Sequence, residues 1–166
     1  MDNDVRRGLY FVVGFILLSG CSGDSLTELK EAKGFTLYSI LAAPQPLSPA
    51  KPIPTTQETF HGWRVIGKTE VVDPQKRKAI IDGLQAAVRK PDGDMPRCFE
   101  PRHAIRVKQY GLTVDYLICF ECSRVHKYWF WEFHDVLSTR NQPQKTLNFY
   151  LKEAGIALDP AMKGEI

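Results

Sequence analysis

The stretch "RHAIRVKQYGLTVDYLICFECSRVHKYWFWEF", residues 102–133, decides the fold. It holds three runs rich in β-branched and aromatic residues, 102–110, 112–122 and 124–133, separated at Gly111 and Ser123. Such runs with short junctions predict an antiparallel meander. A two-residue turn at Tyr110-Gly111 sets Val107 opposite Val114, Ile105 opposite Tyr116 and His103 opposite Ile118. A second turn at Cys122-Ser123 sets Phe120 opposite Val125, Tyr116 opposite Trp129 and Val114 opposite Trp131. Both turns place the apolar side chains, from Ile105 to Phe133, on one sheet face, and that agreement supports the register. Lys127 is the misfit on that face. Tyr128 and Phe130 project from the other and need cover from a helix or a partner.

Working outward, "QKRKAIIDGLQAAVRK" (75–90) places Ala79, Ile80, Leu84, Ala87 and Val88 on one stripe, an amphipathic helix. Asp73-Pro74 reads as its N-cap with proline at the first position. "TFHGWRVIGKTEVV" (59–72) reads as a strand bent at Gly62 and Gly67, and "FTLYSIL" (35–41) as a short strand. "PQKTLNFYLKEAGIAL" (143–158) supplies a final helix, with Leu147, Tyr150, Leu151 and Ala154 inward and Gly155 as its cap. The expected class is α+β: an antiparallel sheet of four or five strands packed by helix 75–90, plus the C-terminal helix. Strand, helix and three-strand meander in that order are similar to cystatin-like sheets, a likeness of fold that implies no activity.

The N-terminus reads as an address. Arg6 and Arg7 precede "LYFVVGFILL" (9–18), an uncharged run. It is shorter than the roughly 20 residues a spanning helix needs and suits the apolar region of a secretory signal. Leu18-Ser19-Gly20-Cys21 closes it and closely resembles the bacterial lipobox. That resemblance implies cleavage before Cys21, diacylglycerol on its sulfur and acylation of the new amino terminus. Ser22, where an Asp would signal inner-membrane retention, resembles the outer-membrane case in a Gram-negative host. The expected organisation is a signal over 1–20, a tether over 21–58 and a domain over 59–158. The tether includes strand 35–41 and the five prolines of "AAPQPLSPAKPIPTTQ" (42–57), an extended spacer because proline blocks helix and ladder alike.

The chain has 166 residues, 43% hydrophobic and 25% charged, a balance that allows one ordinary core. Its formal charge is +3, with no dense Lys/Arg block, so nucleic acid is not an expected partner. Losing residues 1–20 removes two acids and two bases and leaves that charge unchanged. The expected partners are the membrane, through acylated Cys21, and an envelope protein or small ligand.

Residues 97–122 concentrate the chemistry. Cys98-Phe99-x-Pro101-Arg102-His103 followed by Ile118-Cys119-Phe120-x-Cys122 resembles a group of uncharacterised bacterial secreted proteins and lipoproteins, over residues 60–132. The resemblance implies a shared domain and no particular reaction. In the proposed register Cys98, Cys119 and Cys122 gather at one end of the meander. Cys98 is expected to reach Cys119 or Cys122. A disulfide fits an exported protein. Zinc held by the three thiols and a histidine, His103 by proximity or His126 opposite Cys119, fits the Cys-x-x-Cys spacing. Unpaired buried thiols are the third reading. A thioredoxin-type site would need a helix after the motif, and a c-type haem would need His where Ser123 stands. Arg102 and Arg106 are anion-binding candidates, although no phosphate-type glycine loop accompanies them. The expectation is a binding or envelope-associated module of unknown activity with no assigned catalytic residue. The alternative is a thiol- or zinc-dependent envelope enzyme, or a structural zinc module.

Overall fold

A computed structural model describes residues 26–42, 57–91, 98–140 and 142–162. Cys21, the apolar run before it and the proline-rich segment lie outside the described residues. The fold is α+β, a curled seven-stranded antiparallel sheet with helices on one face. In chain order its elements are α1 (Thr27–Lys30), β1 (Gly34–Ile40), β2 (Thr59–Phe60), β3 (Trp63–Glu70), α2 (Pro74–Ala87), β4 (His103–Gln109), β5 (Leu112–Cys119), β6 (Arg124–Trp129), β7 (Glu132–Ser138) and α3 (Gln142–Glu153). A short 3₁₀ turn, Pro160–Met162, follows. The sheet order is β2-β3-β1-β4-β5-β6-β7.

The sheet exceeds the expected four or five strands because two stretches read as single strands are hairpins. Residues 59–72 reverse at His61-Gly62, and 124–133 reverse at Phe130-Trp131. Both central residues of each turn have positive φ, 48° and 84° in the first, 47° and 77° in the second. The same holds at Tyr110-Gly111, with 47° and 82°. These are type I′ values, whose twist matches the flanking strands. Glycine makes two of the turns readable. Phe130-Trp131 carries no such signal, since bulky residues rarely occupy that region.

The β4–β5 register is the expected one: Val107 faces Val114, Ile105 faces Tyr116 and His103 faces Ile118. The β5–β6 register differs by two. Tyr116 faces Lys127, Val114 faces Trp129 and Ile118 faces Val125. The connection is a four-residue loop, 120–123, with the Ser123 N–H donating to the Phe120 carbonyl and Ser123 at φ 51°. A slip of two preserves the face, because side chains alternate with period two. Trp131 therefore leaves the expected core face for the turn, and Phe133 lies on the returning strand opposite Tyr128.

The helices cover one face. Leu29, Phe35, Leu37, Ile80, Leu84, Ile105, Tyr116, Leu147 and Leu151 meet there in the main core. The Asp73 side chain accepts from the Gln75 and Lys76 N–H groups, and Pro74 opens α2. Its buried stripe is Ile80, Ile81, Leu84 and Ala87; Ala79 is exposed and Ile81 takes its place. Gly155, at φ 73°, ends α3. The Ile156 N–H donates to the Leu151 carbonyl and that of Gly155 to Lys152, a Schellman closure. Ala154, expected inward, is exposed. Gly67 admits Ile156: a Cβ there would lie 2.8 Å from its Cγ2.

The sheet curls toward the opposite face, where the tip of the β2–β3 hairpin reaches β5 across β1 and β4, and this concave face carries a smaller cluster of Tyr38, Ile40, Phe60, Val65, Ala104 and Leu117. Trp63, Phe99 and Tyr128 pack against it. The strand read as part of a tether, β1, lies between β3 and β4, and the fold includes Leu26, which is buried.

Candidate functional site

The structure divides the expected site residues among three places. At the end of β5, Cys119 and Cys122 are joined by a disulfide. Spacing of three across a loop sets their Cα atoms 5.2 Å apart, within the ordinary range for a bridge. Cys98 is a free thiol and exposed, which corrects the expected pairing with Cys119 or Cys122.

Arg102 and His103 leave the neighbouring end of β4 in opposite directions. The Arg102 guanidinium lies 2.6 Å from Glu121, 3.3 Å from Asp159 and 4.0 Å from Glu100. Burial opposes its charge, but these carboxylates outweigh burial and hold its pKa above the usual value. Asp159 also accepts from the Ala42 backbone N–H at 2.9 Å. Arg102 thus fastens the C-terminal turn to the sheet, and its charge is met from within the chain.

His103 points into the helix-covered core and is fully buried. Its Nε2 lies 2.7 Å from Asn148 Oδ1 of α3, and Phe120 meets it edge-on. Burial, with some help from the Arg102 charge, lowers its pKa to about 4, so it is neutral at physiological pH. Ser39 lies directly opposite on β1. His126 lies on the concave face, stacked on Phe99 with ring centroids 3.5 Å apart. Burial and the Arg124 charge lower its pKa to about 4 as well. It faces Leu117, not Cys119, because of the two-residue slip. The two candidate histidines therefore occupy opposite faces of the sheet. Among the described residues no group of three His, Cys, Asp or Glu side chains is arranged to hold a metal ion.

The third place is a cluster around Asp115 on the concave face, of which the sequence singled out Arg106. Arg106 donates to Asp115 of β5 through Nε at 2.7 Å and a terminal nitrogen at 2.6 Å. His61, at the turn of the β2–β3 hairpin, lies 2.8 Å from the same carboxylate. The hairpin folds across the concave face to make this contact. Burial pushes the Asp115 pKa up, but the bonds from Arg106 and His61 outweigh it and hold the carboxyl below its usual range. Aromatic rings enclose the cluster. Tyr128 stacks on His61 at 3.9 Å, and Phe60 and Trp131 each lie 4.9 Å from the Arg106 guanidinium carbon. Positions 106 and 115 sit opposite each other once the β4–β5 register is set, so that pair was derivable from the meander. His61 was not, because its approach depends on the curl of the sheet.

Chemically, the cluster is a clasp. Asp115 receives three donors and its charge is balanced by Arg106. The arrangement fixes the aromatic residues of the concave face more readily than it activates a nucleophile. No family model matches the chain, and neither a curated protein nor a solved structure gives a significant match.

Proposed function

We propose that this chain is a lipid-anchored lipoprotein of the bacterial cell envelope, held by acylated Cys21, with its α+β domain facing the periplasm as a binding module. In a Gram-negative host Ser22 favours the outer membrane. The observation that carries the reading is Leu18-Ser19-Gly20-Cys21 at the end of a ten-residue uncharged run, immediately ahead of a folded domain. Acyl chains contribute about 0.8 kcal/mol per buried CH₂, and two or more hold a domain stably without a spanning helix. Among the described residues no helix is long and apolar enough to cross a membrane, which is compatible with such an anchor. The binding role is supported by the way the polar site residues are used. Arg102, Arg106, Asp115 and His103 are each engaged inside the fold, while aromatic side chains line the concave face and the β6–β7 turn.

The test is fractionation of cells expressing the full chain and its Cys21→Ala variant. Wild type should sediment with membranes and release into detergent. The variant should lose the acyl groups and the processing that depends on them. Equal detergent partitioning of the two, with no acyl mass on either, would overturn the reading.

A further inference from the structure

We infer that the hairpin tips Tyr110-Gly111 and Phe130-Trp131 rest against the lipid surface to which Cys21 anchors the chain. This rests on the lipoprotein reading and adds to it an orientation and a contact. Four observations carry it.

The first is exposure. Tyr110 is 77% exposed, Trp131 70%, Phe130 56% and Leu112 40%. The second is placement. β4 and β6 run in the same direction, so both tips lie at one end of the sheet, and the Phe130 N–H donates to the Thr113 carbonyl of the neighbouring hairpin at 3.4 Å. The third is Lys33, where the chain enters β1 at that same end. Lys33 donates its N–H to the Lys108 carbonyl, and its ammonium lies 5.3 Å from the Tyr110 ring centre. Glu28 pairs with Lys127 at 2.7 Å, and Lys127 lies over Trp129, the residue before the second tip.

The fourth is length. Leu26 follows Cys21 by five residues, a span of at most about 18 Å. A domain of this size has a radius of gyration of about 15 Å and measures about 40 Å across. An anchor at Cys21 therefore leaves the far end of the sheet out of reach and brings the near end, with its aromatic tips, to the bilayer. The chemistry suits the headgroup region. Tyrosine and tryptophan favour the water–hydrocarbon boundary. Lys33 and Lys108, both exposed at this end, can extend toward lipid phosphates. Strain points the same way: Phe130 and Trp131 hold left-handed backbone conformations that Asn-Gly would adopt more easily.

The experiment reconstitutes the mature acylated protein into phosphatidylcholine–phosphatidylglycerol vesicles containing lipids brominated near the headgroup end of the acyl chain. Tryptophan emission is compared with that in unbrominated vesicles, for wild type, Trp131→Phe and the double variant Phe130→Asn/Trp131→Gly. Bromolipid should quench the emission assigned to Trp131 at least twofold, and Trp131→Phe should remove most of the quenching. The double variant keeps the turn and loses both rings, so it should fold, bind vesicles through Cys21 and show little quenching. Acylated protein that floats with the vesicles while Trp131 stays open to aqueous iodide would overturn the tip contact and leave the anchor standing. Protection of Trp131 only after a protein extract is added would overturn it in favour of a protein partner. Absence of acyl groups on Cys21 would overturn the anchor, and the contact with it.

Discussion

The two faces of the sheet bury charge in different ways. On the helix-covered face the buried polar groups form two separate sites in an apolar core, one where Glu28 accepts from Lys127 and the Tyr116 hydroxyl and one where His103 meets Asn148. Lys127, 6% exposed, reaches Glu28 of α1, and His103 is kept neutral beside Asn148. On the concave face two side chains, Arg106 and His61, converge with three donor atoms on one carboxylate, Asp115, and aromatic rings enclose them. Neutralising a histidine in a core costs stability only when the pH favours its charged form. A shared carboxylate is a junction, and its loss strands every donor at once. The first face should respond gradually to pH, the second abruptly to mutation.

The largest expected effect follows from the junction. Asp115→Ala leaves Arg106 and His61 without their acceptor and should cost roughly 3–5 kcal/mol, measured by urea denaturation near neutral pH. An Asp115→Ala protein as stable as wild type would remove the distinction between the faces. Folded Asp115 stays ionised below the usual carboxyl value of 3.8. Its stabilisation is therefore complete above that value and disappears as pH falls through the depressed one.

His103 should titrate in a different window. Between 6.5 and about 4 the unfolded chain gains a proton at this position and the folded chain does not. Stability falls as pH drops across that interval, by roughly 3 kcal/mol for a fully buried histidine. His103→Gln keeps a partner for Asn148, and its stability curve should be flatter over the interval. An unchanged slope would place the effect elsewhere, with His126 the next group to replace.

Smaller effects sharpen the comparison at the ends of the strands. The Cys119–Cys122 bridge closes a loop of four residues and should contribute about 2 kcal/mol by restricting the unfolded chain. In denaturant without reductant the mature protein should show one alkylatable thiol, Cys98, among these three; finding all three reactive would contradict the bridge. Phe130→Asn, which leaves the Trp131 ring over Arg106, should raise stability by up to about 1 kcal/mol in lipid-free detergent solution by easing left-handed strain, read as a higher urea midpoint; no change would show that the turn carries no strain.

Much of the helix-covered face was readable because its signals are local. Glycine marks the Tyr110-Gly111 turn, alternation fixes the β4–β5 register, and Asp73-Pro74 marks the start of α2. The second register slipped because a four-residue loop and a two-residue turn preserve the same alternation, so apolar pattern alone cannot separate them. The Phe130-Trp131 reversal was hidden because the aromatic residues that make it look like strand also form the turn. The concave clasp was half readable. Arg106 and Asp115 are cross-strand neighbours, but His61 arrives through curl, a property of the whole sheet. Asn148, the partner of His103, stood on an unremarked turn of α3 and announced nothing by itself.

Acylation of Cys21 is tested most directly by the intact mass of the processed chain, with a fragment spectrum of its amino terminus. The expected result is a chain lacking residues 1–20, with diacylglycerol on the Cys21 sulfur and an acyl group on its amine. A mature chain with an unmodified Cys21, or one retaining residues 1–20, would contradict it.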